Sequence, residues 1–155
     1  MLILSTSAWV WSCTTESVQE YEYMSGLKRY MLSEHAVDLL DIEDKKMLFM
    51  DISCEDCTMS KISFLDKDPG HFGISIYVSG DTTNSQTIGK YGEIIQGMDI
   101  ESKYHLYETG ISKPLLMHIK NGKPVKYVFV TDANQNEVLS YLIPGYEAIT
   151  EQEKP

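Results

Sequence analysis

Hydrophobic and polar positions along the chain fall into blocks of different period, and the change from one block to the next marks the elements. From Glu16 to about Asp44, Val18, Tyr21, Met24, Leu27, Tyr30 and Met31 recur at three- and four-residue steps, and Ala36, Leu39 and Leu40 continue the series. This is the spacing of an apolar helical stripe. Ser33 is a candidate cap dividing the region into two helices, Gly26 a candidate interruption, and Asp41-Ile42-Glu43-Asp44 an acidic end. Met47-Leu48-Phe49-Met50 is then uninterrupted, as in a buried strand. Met59, Ile62, Phe64 and Leu65 return to the helical period, and Asp66 to Gly70 is dense in turn formers. Ile74-Ser75-Ile76-Tyr77-Val78 alternates as a second strand. Ile88, Tyr91, Ile94 and Ile95 predict a helix closed by Gly97, and residues 98–110 fit a short strand or a helical turn equally well.

The remaining pattern is a hairpin and a helix. Asn121-Gly122 separates two apolar runs, which predicts antiparallel strands over 115–120 and 124–130, with Pro124 at an edge. Thr131-Asp132 can cap a helix running to Leu142, with Val138, Leu139 and Leu142 inward and Pro144-Gly145 as its stop. Strand and helix alternate before the hairpin, so the early strands should run parallel through right-handed crossovers. The expected organisation is a leader over 1–13, a helical extension over 14–44, one α/β domain over 45–143 and a charged tail over 144–155.

Composition narrows the function classes. A chain of 155 residues, 43% apolar, can bury a core of its own. Its formal charge is −10, from 23 acidic against 13 basic residues, and no basic cluster offsets this. A phosphate backbone would be repelled, so nucleic acid is not an expected partner, and the ten tyrosines are packing residues rather than base-stacking platforms.

Candidate chemistry lies at Cys54-Glu55-Asp56-Cys57, between the continuous strand and the helix that follows. Two cysteines at this spacing can close a small disulfide ring, and unpaired amides at a helix start favour a thiolate there. The same spacing also occurs as half of a zinc site or as plain packing cysteines. For zinc, the other candidate ligands are Cys13, His35, His71, His105 and His118, and none forms a second paired arrangement, so no metal is expected. Glu55 and Asp56 repel a thiolate as like charges while the helix dipole favours the same acids, so the sign of their effect on the thiol stays open.

The order strand, C-x-x-C, helix, strand, helix, then Pro114 opening a strand that turns through Asn121-Gly122, then a last helix, resembles the thioredoxin fold over about residues 45–143. The most telling pieces are Cys54 to Cys57 and the run from Ser112 to Lys123. The resemblance implies a three-layer α/β fold: a mixed sheet with parallel strands and a C-terminal antiparallel hairpin, here with an N-terminal helical extension. It implies thiol–disulfide exchange, with Cys54 as exposed nucleophile and Cys57 as buried resolving thiol. It also implies a cis bond before Pro114 and a substrate-receiving segment at Ser112, Lys113 and Pro114. No cofactor is implied, and the partners would be protein thiols or disulfides and a redox partner protein. Ser53 and Glu55-Asp56 depart from the family's usual aromatic residue and Gly-Pro at these places. The acid that thioredoxins bury in the strand would fall near Leu48, with Asp51 a substitute one pleat on.

The opening run MLILSTSAWVWSC is too short to span a bilayer and resembles an export signal ending at a bacterial lipoprotein cleavage site. Cys13 would then carry lipid and anchor the protein outside the cytoplasm, as in extracytoplasmic proteins of the TlpA type. The other reading of this stretch is a disordered or core-packed N-terminus. For the whole chain, the alternative to an enzyme is a binding or assembly module whose Cys54–Cys57 bond only staples a helix.

Overall fold

The computed structural model describes residues 20–67, 72–83, 85–143 and 146. Helix α1 (Met24–His35) is followed by strand β1 (Asp44–Asp51), helix α2 (Glu55–Lys61), strand β2 (Ile74–Ser79), helix α3 (Gln86–Tyr91) and strand β3 (Ile95–Asp99). The hairpin β4 (Leu115–Lys120) and β5 (Lys123–Phe129) leads into α4 (Gln135–Leu142). Short 3₁₀ turns lie at Leu39–Asp41, Ser63–Lys67, Gly92–Ile94 and Lys103–Tyr107.

One five-stranded sheet holds the strands in the order β3-β2-β1-β4-β5. β1 pairs in parallel with β2, and β2 with β3, while β4 runs antiparallel to both β1 and β5. The chain moves in one direction across the sheet from β1 to β3. Two right-handed crossovers in that direction put α2 and α3 on the same face, where α4 joins them. Their core contains Leu48, Met50, Ile62, Ile76, Leu116, Val138 and Leu139. The opposite face would be bare without the N-terminal segment. There α1 and the turn Lys103–Tyr107 cover Met47, Phe49, Tyr77, Leu115, Met117 and Ile119, burying Leu27, Tyr30 and Met31 against them. The result is the three-layer thioredoxin-like α/β fold, with a mixed sheet and a C-terminal antiparallel hairpin. The periodic N-terminal extension is the layer that closes it.

Several local expectations are corrected. Ser33 lies inside α1 and caps nothing; the helix ends at Ala36, in left-handed backbone, and the following turn is capped by Asp38, whose carboxylate accepts the Leu40 amide at 2.9 Å. Gly26 does not interrupt α1. A Cβ there would lie 1.9 Å from the Tyr107 carbonyl oxygen, so glycine lets helix and turn touch. Gly97 closes no helix: α3 ends at Tyr91 and Gly97 sits within β3, where a Cβ would meet His35 Nδ1 at 2.5 Å. The undecided stretch 98–110 holds the end of β3 and the 3₁₀ turn Lys103–Tyr107. Asn121 and Gly122 both have positive φ, 49° and 72°, as a two-residue hairpin turn of this kind requires. The helix expected from Thr131 starts at Gln135, because Asn134 Oδ1 accepts the Thr131 amide and holds 131–134 as a turn. The proposed stop at Pro144-Gly145 lies outside the described residues, as do Cys13 and His71.

Candidate active site around Cys54 and Cys57

β1 leaves the sheet at Asp51, and that residue shapes the turn that presents the cysteines. The Ile52 amide donates to the Ser79 carbonyl at 2.9 Å, keeping the chain on β2 for one more residue. Asp51 Oδ1 then accepts from the Ser53 amide at 2.8 Å and the Ser53 hydroxyl at 2.6 Å. An aspartate bonding its own backbone two residues on is a stable turn in itself. The Asp51 carbonyl takes the hydroxyl of buried Thr58 at 2.7 Å, which fixes the first turn of α2 against the strand end. Cys54 is left at the N-cap, its carbonyl accepting the Thr58 amide at 3.0 Å.

Cys54 and Cys57 form a disulfide, with Cα atoms 5.4 Å apart, inside the usual range for such bonds. Both residues are exposed. The expectation of a buried Cys57 is therefore corrected: Thr58 fills the inward position of this turn, and Cys57 points into the open groove beside it. That groove has a volume of about 230 Å³. Asp51 and Lys61 line it beside the disulfide, and Ser112, Lys113 and Pro114 form the facing wall. The sixty-residue separation between cysteines and proline is closed by β1–β4 pairing, which sets Phe49 opposite Leu115. Ser112 and Lys113 are exposed and Pro114 is buried.

No cis peptide occurs among the described residues, so the Lys113–Pro114 bond is trans where the resemblance implies cis. Trans is the intrinsically favoured isomer by about 0.5–1 kcal/mol. Pro114 still opens the strand in this form, its carbonyl accepting the Val130 amide at 2.7 Å.

The two acids between the cysteines have different surroundings. Glu55 turns away from the disulfide toward α3, where Oε1 accepts the Ser85 hydroxyl at 2.7 Å and the Thr87 amide at 2.8 Å. The Ser85 hydroxyl, then the Thr87 amide, hold its carboxyl below the ordinary range. Asp56 stays exposed. Glu55 is thus a tie between helices as well as a charge near sulfur.

Asp51 is the carboxylate that does line the groove. Burial pushes its pKa up, but the Ser53 bonds and the Tyr104 hydroxyl outweigh this and leave it below the ordinary value. Tyr104 donates its hydroxyl to Asp51 Oδ2, and burial followed by that bond raises the tyrosine pKa. The Tyr104 backbone amide donates to Asp99 Oδ2 at 3.1 Å. Buried Asp99 also accepts the Tyr30 hydroxyl at 3.2 Å and the Ser79 hydroxyl at 3.3 Å, and His35 Nε2 lies 3.1 Å from the Tyr30 hydroxyl. A polar chain therefore runs from beneath α1 to the edge of the cysteine groove. Tyr104 and Asp99 were not legible as site residues: the pattern hides the strand that ends at Asp99 and leaves undecided the turn that aims Tyr104. Among the described residues no group of three or more His, Cys, Asp or Glu is placed to hold a metal ion.

No protein-family model matches the chain, and no curated protein matches it. Among solved structures, it is similar to the solution structure of a thiol:disulfide interchange protein from Bacteroides sp.. That likeness has 18% sequence identity and a TM-score of 0.42, and spans 68% of this chain and 78% of the other.

Proposed function

We propose that the protein is a thiol–disulfide oxidoreductase that exchanges disulfides with other proteins through Cys54 and Cys57. The observation that carries this reading is an exposed disulfide at a helix start, facing Ser112, Lys113 and Pro114 across an open groove. In the reduced protein the Cys54 thiolate attacks one sulfur of a substrate disulfide. A mixed disulfide forms and the other substrate sulfur leaves as a thiolate. The Cys57 thiolate then attacks Cys54 Sγ, the ring disulfide closes, and the second substrate thiolate leaves. Two electrons have passed to the substrate, and each departing thiolate takes a proton from solvent. Run backwards, the same steps oxidise a dithiol. A redox partner protein returns the pair to its starting state, and no small-molecule cofactor takes part. Ser112 and Lys113 are the exposed surface along which the substrate chain lies, with Pro114 fixing their position.

Cys54→Ser should abolish turnover of insulin disulfides, and Cys57→Ser should reduce it to stoichiometric mixed-disulfide formation. Wild-type turnover in both variants would refute the proposal. A bond that merely staples α2 would instead show a reduction potential below about −300 mV and no exchange.

The finer reading is a TlpA-type lipoprotein working outside the cytoplasm, anchored at Cys13. Its support is the apolar run that ends at that cysteine. No helix among the described residues is long and apolar enough to cross a membrane. In a bacterial host, the full chain should sediment with membranes and incorporate labelled palmitate. Cys13→Ser should release it, and unchanged sedimentation without label would end the anchor reading.

A further inference from the structure

A second hollow, about 670 Å³, adjoins the cysteine groove, and Asp51 and Ser112 line both. Its size is that of a side-chain or ligand pocket, within the usual ~300–1,000 Å³. Tyr23, Phe129 and Ile111 line it, with Asp51 and Glu108 as its acids and His105 as its one basic residue. Tyr23 is 42% exposed, so part of its surface is open to a visitor.

The wall is preformed. Tyr21 donates its hydroxyl to the Thr109 carbonyl at 2.8 Å, and Tyr107 donates to Glu34 at 2.6 Å. Lys103 pairs with the same Glu34 at 3.1 Å. Glu108 is held at φ 52°, a left-handed backbone that non-glycine residues adopt only where surroundings dictate it.

Aromatic faces beside carboxylates suit one kind of side chain above others. A guanidinium stacks on rings and pairs with carboxylates through the same planar group, and an ammonium does so less well. The chain's net charge of −10 steers a basic polypeptide in the same sense. Resting on the oxidoreductase reading, we infer that this cleft is a specificity site. It takes an arginine, or less well a lysine, located next to the reacting cysteine of the substrate protein.

The test separates the two readings. Fluorescein-labelled heptapeptides with serine in place of the central cysteine, flanked by arginine, serine or glutamate, are titrated into the oxidised protein by anisotropy. The arginine peptide should bind about tenfold tighter than its serine twin, a preference that half-molar salt reduces. Glu108→Gln, an exposed and nearly isosteric change, should bring the ratio close to one. Equal affinity for all three peptides, or an arginine preference unaltered by Glu108→Gln, overturns the cleft assignment. Reduction of hydroxyethyl disulfide by the wild type is measured alongside. That small substrate needs no cleft, so its turnover with equal peptide binding leaves the oxidoreductase reading standing, and its absence refutes that reading while the titration still decides the cleft.

Discussion

At the residue scale, Asp51 decides how the cysteines are presented, because its side chain closes the turn at Ser53 and its carbonyl anchors Thr58. Tyr104 is the donor that the sequence could not supply, 53 residues away and on a segment whose pattern is ambiguous. Its hydroxyl is one of the bonds that hold the Asp51 pKa down, after burial, which works the other way. Tyr104→Phe should therefore raise the Asp51 pKa, as followed by the pH dependence of its carboxyl carbon shift in NMR. It should also move the pH profile of thiol labelling at Cys54 and Cys57. An unchanged Asp51 titration would mean that Tyr104 serves packing alone. Glu55 shows the opposite limit of sequence reading: its charge beside the cysteines was evident, its commitment to Ser85 and Thr87 was not.

Elements differ in how far their pattern could be read, and the difference has physical causes. β1 and α4 were legible because they bury whole faces, so their apolar period is complete; the hairpin was legible because Asn121-Gly122 meets a backbone requirement that few residue pairs satisfy. β3 was hidden. It is a five-residue edge strand with only Asp99 buried, and its Gly97 answers to His35 and Tyr77 rather than to a turn. The same kind of constraint acts on α1. Gly26→Ala would drive a methyl into the Tyr107 and Glu108 carbonyls, and since backbone cannot step aside, the loss should exceed the ~1–3 kcal/mol of ordinary overpacking. Leu27→Ala, which empties a fully buried position beneath the same helix, should cost about 2–5 kcal/mol. Urea denaturation of the two variants measures both; a shift under half a kcal/mol in either would mean that α1 is not the layer closing this face.

For the whole molecule, the charges held in the fold set the direction of its pH dependence. His35 is pushed below its ordinary 6.5 by burial, against the pull of Asp99 and Glu34. Glu34, Asp44 and Glu55 are held below their ordinary values, first by the hydroxyl of Tyr107, the ring of His118 and the hydroxyl of Ser85, respectively. Each group binds protons less readily folded than unfolded. Stability is therefore complete above the unfolded pKa and falls as the medium is acidified: from about pH 6.5 downward for His35, from about pH 4.5 for Glu34 and Glu55, and from about pH 3.8 for Asp44. Urea midpoints should decline between about pH 7 and pH 5 and more steeply toward pH 3.5, with His35→Gln flattening the first part; a midpoint independent of pH would contradict this assignment. The fold thus brings a three-layer scaffold, closed by its N-terminal helix, to one groove lined by the Cys54–Cys57 disulfide. The most direct test of that groove is covalent. Reduced Cys57→Ser protein is mixed with a disulfide-bonded peptide, quenched with acid and digested, and the site of attachment is read by mass spectrometry. The account predicts one peptide per protein, joined to Cys54; protein that stays unmodified, with Cys54 still a free thiol, would contradict it.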